Sequence, residues 1–177
     1  MDVQQPEIKS GEPLPLGHRI YRHGLDEWIE KKKDKYIPSL YFFDLHESDK
    51  KTGYKLSVDW EKLATPEETI IRIGCSYKKD TKKFKKYENR VIYAIEVTFL
   101  NNLDGISDVI YNPIFHPVEK SGYPNNPAHS LIGFDKDKYD VQDRPAVITE
   151  LRNHAQGKKI EFDMKVVDKA VQEYRNS

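Results

Sequence analysis

Alternation of apolar and polar residues predicts the best-defined strands of the chain. Tyr54, Leu56, Val58 and Trp60 recur at every second position, so in an extended strand they share one face. Residues 90–99 form an almost continuous run of β-branched and aromatic side chains. Such a run is typical of a central strand that is covered on both faces.

Helical signals are strongest after residue 64 and near the carboxyl end. Thr65 is an N-cap residue, Pro66 occupies the first helical position and Glu68 completes a capping box, so a helix is expected to begin at Pro66. Apolar residues at helical spacing predict two further helices, over residues 146–155 and 164–174. Shorter segments predict helical turns at 24–30 and strands at 18–23, 109–111 and 130–134.

The order of these elements predicts an α+β fold. Strands gather in the middle of the chain and helices follow them, which favours a central, mostly antiparallel sheet with helices packed on one face and helices at the C-terminal end. At 177 residues the chain fits one domain, expected over residues 18–177. Residues 1–17 combine three prolines with two glycines and predict a flexible N-terminal arm.

Composition narrows the classes of protein that fit. Hydrophobic residues make up 37% of the chain and mean hydropathy is −0.78, so the chain is polar for a globular protein. It still has enough aromatic and β-branched side chains to form a folded core. The formal net charge of zero excludes a domain that is basic over its whole surface. A single cysteine, Cys75, and the lack of a signal peptide or an apolar span predict a cytoplasmic protein without a membrane partner.

Two junctions between a loop and a strand carry the candidate catalytic residues. Arg22 and His23 end a short apolar run, and His129 and Ser130 begin another after a loop rich in proline and asparagine. Arginine offers a planar fork of donors and histidine titrates near neutral pH, so together they could hold a phosphate and move a proton. The alternative is that Arg22 pairs with a carboxylate and His129 ties its loop to its strand.

A cluster of basic residues lies between residues 78 and 90. Phe84 and Tyr87 are interleaved with it, an arrangement that could follow a nucleic-acid backbone while the rings stack on bases. A solvated hairpin tip would account for the same residues. The candidate nucleic-acid-binding residues are Lys82, Lys83, Lys85, Lys86 and Arg90.

Neither a metal nor a cofactor is expected from the remaining motifs. Asp135, Asp137 and Asp140 are acidic, but they lack the glycine and distal glutamate of a calcium loop. His46 begins a His-Glu-Ser triplet that has no second His-x-Ser or His-x-Thr. Cys75 is expected to be a small buried side chain, and the sequence has no glycine-rich phosphate loop.

Three short sequence motifs follow one another in the same order as in a known group of proteins. Arg22-His23, Leu56-Ser57-Val58 and Pro127-Ala128-His129 resemble a family of small uncharacterised bacterial proteins over residues 18–135. That resemblance implies a bacterial or phage origin. The arginine–histidine pair followed by a strand serine is also loosely similar to ADP-ribosyltransferase-like toxin folds, which place such residues around NAD, although a late catalytic glutamate is missing here.

Three functional hypotheses follow from these patterns. The first is a non-catalytic accessory or interaction protein that docks on a larger protein or nucleic-acid partner. The second is an enzyme that binds a nucleotide or NAD-like phosphate through Arg22, His23 and His129, and the third is an immunity or inhibitor protein. The second requires that the early Arg-His pair and the late histidine lie beside a common cavity.

Overall fold

A computed structural model of the 177-residue chain describes residues 8–32, 35–78, 81, 83–116, 124–140 and 146–177. The strands are β1 (Arg19–Leu25), β2 (Ile29–Lys32), β3 (Lys35–Pro38), β4 (Lys55–Trp60), β5 (Tyr77–Lys78), β6 (Lys83–Phe84), β7 (Arg90–Glu96), β8 (Ile106–Tyr111), β9 (His129–Phe134) and β10 (Lys159–Ile160). The helices are α1 (Glu47–Lys51), α2 (Pro66–Cys75), α3 (Val97–Asn101), α4 (Lys136–Tyr139), α5 (Ala146–Ala155) and α6 (Met164–Asn176).

A six-stranded sheet in the order β10-β7-β1-β4-β9-β8 forms the centre of the fold. Every neighbouring pair in it is antiparallel. Two small hairpins, β2–β3 and β5–β6, stand outside this sheet. The predicted α+β class with an antiparallel sheet is confirmed.

Apolar side chains cover both faces of the sheet. Along β7, Ile92 and Ala94 belong to the core beneath α2 and α6, whereas Val91, Tyr93 and Ile95 belong to the larger core that includes α5. The alternation follows from the two-residue period of a strand. Helices therefore pack on both faces, where the sequence pattern placed them on one.

Local patterns located several elements correctly. The capping box forms as expected: the Glu68 N–H donates to Thr65 Oγ1 at 3.2 Å and the Thr65 N–H donates to Glu68 Oε2 at 2.7 Å. The strand predicted over residues 90–99 ends at Glu96, because the chain turns into α3 there.

The helical turns predicted at residues 24–30 are confirmed only as a single short turn. β1 runs on to Leu25 in a seven-residue ladder with β7, and only Asp26–Trp28 forms a 3-10 turn before β2. Long-range pairing with β7 outweighs the weak local helical preference of this segment.

The described part of the N-terminal arm lies along the outer strand of the sheet. The Gly11 N–H donates to Tyr111 O at 2.7 Å and the Leu14 N–H donates to Val109 O at 2.9 Å. Leu14 is buried in the larger core. Residues 8–17 thus cover the free edge of β8, which would otherwise present unpaired backbone groups.

Candidate functional site

The candidate site lies where β1 and β4 stop pairing. Their ladder contains only two residue pairs, the last of which joins Tyr21 to Asp59. Beyond it the Arg22 side chain bridges the strands: Nη1 donates to Ser57 O at 3.1 Å, and Nε donates to Phe42 O at 3.2 Å. A cavity of about 210 Å³ adjoins this gap on the α2 side of the sheet.

Three strands, one helix and two loops line the cavity. Ten of the fourteen lining residues that the structure describes have polar side chains. The lining residues are His23, Ser57, Val58, Asp59, Thr69, Arg72, Ile73, Ser76, Lys85, Ile114, His116, Pro124, Asn126 and His129.

A buried charge pair forms one wall of the cavity. Arg72 Nη2 donates to Asp59 Oδ2 at 2.7 Å, and Asn126 Nδ2 donates to Asp59 Oδ1 at 2.7 Å. Burial opposes ionisation of Asp59, but the Arg72 guanidinium and the Asn126 amide outweigh it and hold the pKa of this carboxyl below its ordinary value. Asp59 is therefore an ionised anchor with both oxygens occupied.

His23 reaches the cavity as a neutral imidazole. Burial is the main cause that lowers its pKa to about 3, and the charge of Arg22 lowers it further. Its Nδ1 atom is buried and has no hydrogen-bond partner within the described residues. Since buried polar atoms are usually paired, this unpaired nitrogen is an exception at a residue that lines the cavity.

His129 is held by the end of β8 and faces Ser57. Its Nδ1 lies 2.6 Å from Asn112 O and its Nε2 lies 3.2 Å from Ser57 Oγ. A carbonyl oxygen can only accept, so Nδ1 carries the hydrogen of this contact. In the neutral ring Nε2 is then an acceptor directed at the Ser57 hydroxyl.

Of the four predicted catalytic residues, the structure brings His23 and His129 to the cavity. Arg22 lies on the opposite face of β1, is buried at 8% exposure and makes the strand-bridging contacts described above. Burial lowers its pKa to about 10, so it stays charged at neutral pH. Ser130 is fully buried and its Oγ donates to Ala128 O at 3.2 Å, away from the lining residues.

Ser57, Asp59 and Arg72 were not among the site residues predicted from the sequence, although the resemblance drew attention to the strand serine. Leu56, Val58 and Trp60 fill the core from one face of β4, so Ser57 and Asp59 must occupy the other face, and that signal was present in the two-residue period. Arg72 gave no such signal, because its position depends on how α2 packs across the sheet.

The basic cluster is divided between the surface and the cavity. Lys83 and Lys86 are exposed, Lys85 is partly buried beside the cavity, and Arg90 lies half-buried at the start of β7. Lys82 lies outside the described residues. Phe84 and Tyr87, predicted to stack on bases, pack instead against the Arg175 guanidinium, whose carbon is 4.8 and 5.2 Å from their ring centres.

Other sequence candidates have structural partners. Asp135 caps α4, because its carboxylate accepts from the Asp137 and Lys138 N–H groups, and Asp140 accepts from the Tyr54 hydroxyl at 2.6 Å. Cys75 is buried at the end of α2, and burial raises the pKa of its thiol. His46 is the N-cap residue of α1.

Comparisons with family models, with curated proteins and with solved structures found no match to this chain. Across the described ranges, no cluster of three or more His, Cys, Asp or Glu side chains is arranged to hold a metal ion. No helix in those ranges has the length and apolar character needed to cross a bilayer. The site must therefore be interpreted from its own geometry.

Proposed function

We propose that this protein binds a small phosphate-bearing ligand, such as a nucleotide or an NAD-like molecule, in the cavity and moves a proton on it. The observation that carries the proposal is the meeting of His23, His129 and Arg72 around one cavity. These residues come from two different strands and a helix, so only the folded chain assembles them.

Charge supports an anionic ligand. Among the described residues, the charged side chains that line the cavity are two cations, Arg72 and Lys85, and one anion, Asp59. Asp59 is already engaged by Arg72 and Asn126. Within the described residues the guanidinium of Arg72 makes its hydrogen bonds through Nη2 alone, which leaves Nε and Nη1 as donors for a phosphate oxygen.

His129 supports proton transfer. Burial lowers the pKa of His23 to about 3, so at physiological pH His23 is neutral and can form a hydrogen bond to a bound ligand but is too weak a base to take up its proton. His129 is fixed in one orientation by Asn112. Arg22 does not lie beside the cavity, so the requirement stated from the sequence is met by the two histidines alone, and we assign the anion-binding role to Arg72 instead.

The role of an accessory protein that docks on a larger partner has weaker support. The large apolar side chains with high exposure are scattered along the chain, at Leu16, Tyr41 and Phe115 among others. Isolated exposed apolar residues are common on protein surfaces. The immunity or inhibitor role and the nucleic-acid contact have no specific geometric support beyond exposed Lys83 and Lys86, so they stay hypotheses from the sequence.

A matched pair of arginine variants tests the proposal. Arg72 and Arg152 are both mostly buried and both contact a carboxylate, at 2.7 and 3.1 Å, but Arg152 is not among the lining residues. Thermal unfolding of Arg72→Lys and Arg152→Lys is followed against inorganic phosphate, AMP and NAD⁺ at constant ionic strength. Lysine keeps the charge and loses the planar fork.

We expect ligand stabilisation of the wild type and of Arg152→Lys, with apparent affinity about 10-fold weaker in Arg72→Lys. Equal weakening in both variants would indicate a general charge effect. Absence of stabilisation by all three ligands in the wild type would contradict the proposal outright.

A further inference from the structure

Ser57 is an accessible hydroxyl on a rigid strand. Its neighbours Leu56 and Val58 are 1% and 2% exposed, whereas Ser57 itself is exposed and lines the cavity. Its carbonyl oxygen accepts from Arg22, and it pairs with Leu131 of β9. Its backbone is thus fixed on both sides while its residue lines the cavity.

The surroundings of Ser57 Oγ form a hydrogen-bonded relay. His129 Nε2 lies 3.2 Å from Oγ, and His129 Nδ1 lies 2.6 Å from Asn112 O. Asn112 in turn donates its N–H to His129 O at 3.0 Å, so the end of β8 holds both the ring and the backbone of this histidine. A hydroxyl, a base and a group that orients the base are the parts of an activated nucleophile.

We propose that Ser57 is a catalytic nucleophile, with His129 as its general base and the Asn112 carbonyl as the group that orients His129. The inference rests on the proposed function, since the group transferred to Ser57 is the phosphoryl group of the ligand bound in the cavity. Arg72 and Lys85 supply the positive charge that a phosphoryl group requires.

The reaction proceeds in two balanced steps. Ser57 Oγ attacks phosphorus and its proton passes to His129 Nε2; the bond to the leaving oxygen breaks, and that oxygen takes the proton from Nε2. Water then attacks the phosphoserine, giving a proton to Nε2 that returns to Ser57 Oγ as the phosphorus–Oγ bond breaks. The products are an alcohol and phosphate, and the protein is regenerated.

Labelling with diisopropyl fluorophosphate tests the nucleophile directly. The reagent places a phosphoryl group on an activated serine and releases fluoride, and peptide mass spectrometry locates the adduct. Ser107 is the matched control, since it is also an exposed strand serine, its hydroxyl contacting only Asp108 at 3.5 Å within the described residues. The variants are Ser57→Ala, His129→Gln and Ser107→Ala, each checked for folding by circular dichroism.

We expect an adduct on Ser57 that is absent in Ser57→Ala, unchanged in Ser107→Ala and formed roughly 100-fold more slowly in His129→Gln, the usual contribution of a general base. The wild type is also expected to hydrolyse p-nitrophenyl phosphate to p-nitrophenol and phosphate. An adduct on another serine, or turnover of p-nitrophenyl acetate without turnover of the phosphate ester, would overturn the assignment.

Phosphate binding separates this inference from the proposed function. Absence of labelling in a wild type that phosphate still stabilises would refute the nucleophile and leave the binding proposal standing. Ser57→Ala keeps all the charged lining residues, so it is expected to retain phosphate stabilisation. Failure of labelling together with failure of phosphate binding would refute both.

Discussion

His23 shows how one side chain links the cavity to the stability of the fold. It lies in a strand with its Nδ1 atom buried and unpaired within the described residues, so protonation would place a charge beside Arg22 in a poorly solvated position. The folded state therefore keeps His23 neutral. The unfolded chain has no such constraint, and its histidine takes up a proton near the ordinary pKa of about 6.5.

The consequence is a loss of stability at acidic pH. Because the pKa is lowered to about 3 in the folded state, the contribution of His23 is present above pH 6.5 and is lost as the pH falls towards 3. Between pH 7 and pH 5 the loss attributable to this group is about 2 kcal/mol. Urea denaturation of the wild type and of His23→Asn at both pH values measures it.

Carboxylates titrate in both proteins, so the difference between the two pH dependences isolates His23. We expect the free energy of unfolding of the wild type to fall more steeply than that of His23→Asn. Parallel pH dependences would show that His23 is not held neutral by its surroundings.

At the scale of elements, the gap between β1 and β4 depends on a close approach at Gly24. A Cβ atom at this position would lie 2.5 Å from Cε2 of Phe42, which is fully buried and packs edge-to-face on Tyr93 at 5.1 Å. The carbonyl of Phe42 also accepts from Arg22, the side chain that joins the strands beyond their short ladder. The absence of a side chain at Gly24 therefore lets Phe42 pack close to β1, where its carbonyl accepts the hydrogen bond from Arg22.

Gly24→Ala is expected to destabilise the protein by about 1–3 kcal/mol, because the extra methyl group overpacks the core. Phe42→Leu removes part of the obstructing ring, so the double variant Gly24→Ala/Phe42→Leu should lose less than the sum of the single losses. Urea denaturation of the four proteins measures the coupling. If Gly24→Ala had the stability of the wild type, or if the two losses of stability were strictly additive, Phe42 would not limit the space at this strand.

At the scale of the whole molecule, local signals predicted elements and long-range packing assembled the site. The capping box at Thr65 and the period of β4 are local, so the sequence was sufficient to place α2 and that strand. The sequence pattern groups Arg22 with His23 as one candidate site. Adjacent residues of a strand point to opposite faces, so the two-residue period of β1 was sufficient to separate them. In the sheet β4 lies between β1 and β9, and this order brings His129 and His23 to one cavity. The order depends on long-range pairing, which local sequence patterns do not contain.

The histidines of the chain provide the most direct test of the cavity as the functional site. Three of the six line the cavity and three lie elsewhere. The cavity residues are His23, His116 and His129; the others are His18, His46 and His154. Ring proton–carbon NMR spectra recorded during a titration with inorganic phosphate report on each ring separately.

We expect saturable shifts of the His23, His116 and His129 ring signals, while the signals of His18, His46 and His154 stay unchanged. Weakening of those shifts in Arg72→Lys but not in Arg152→Lys would tie them to the guanidinium in the cavity. Shifts confined to His18, His46 or His154, or no saturable shift at any ring, would contradict the claim that this cavity binds a phosphate group.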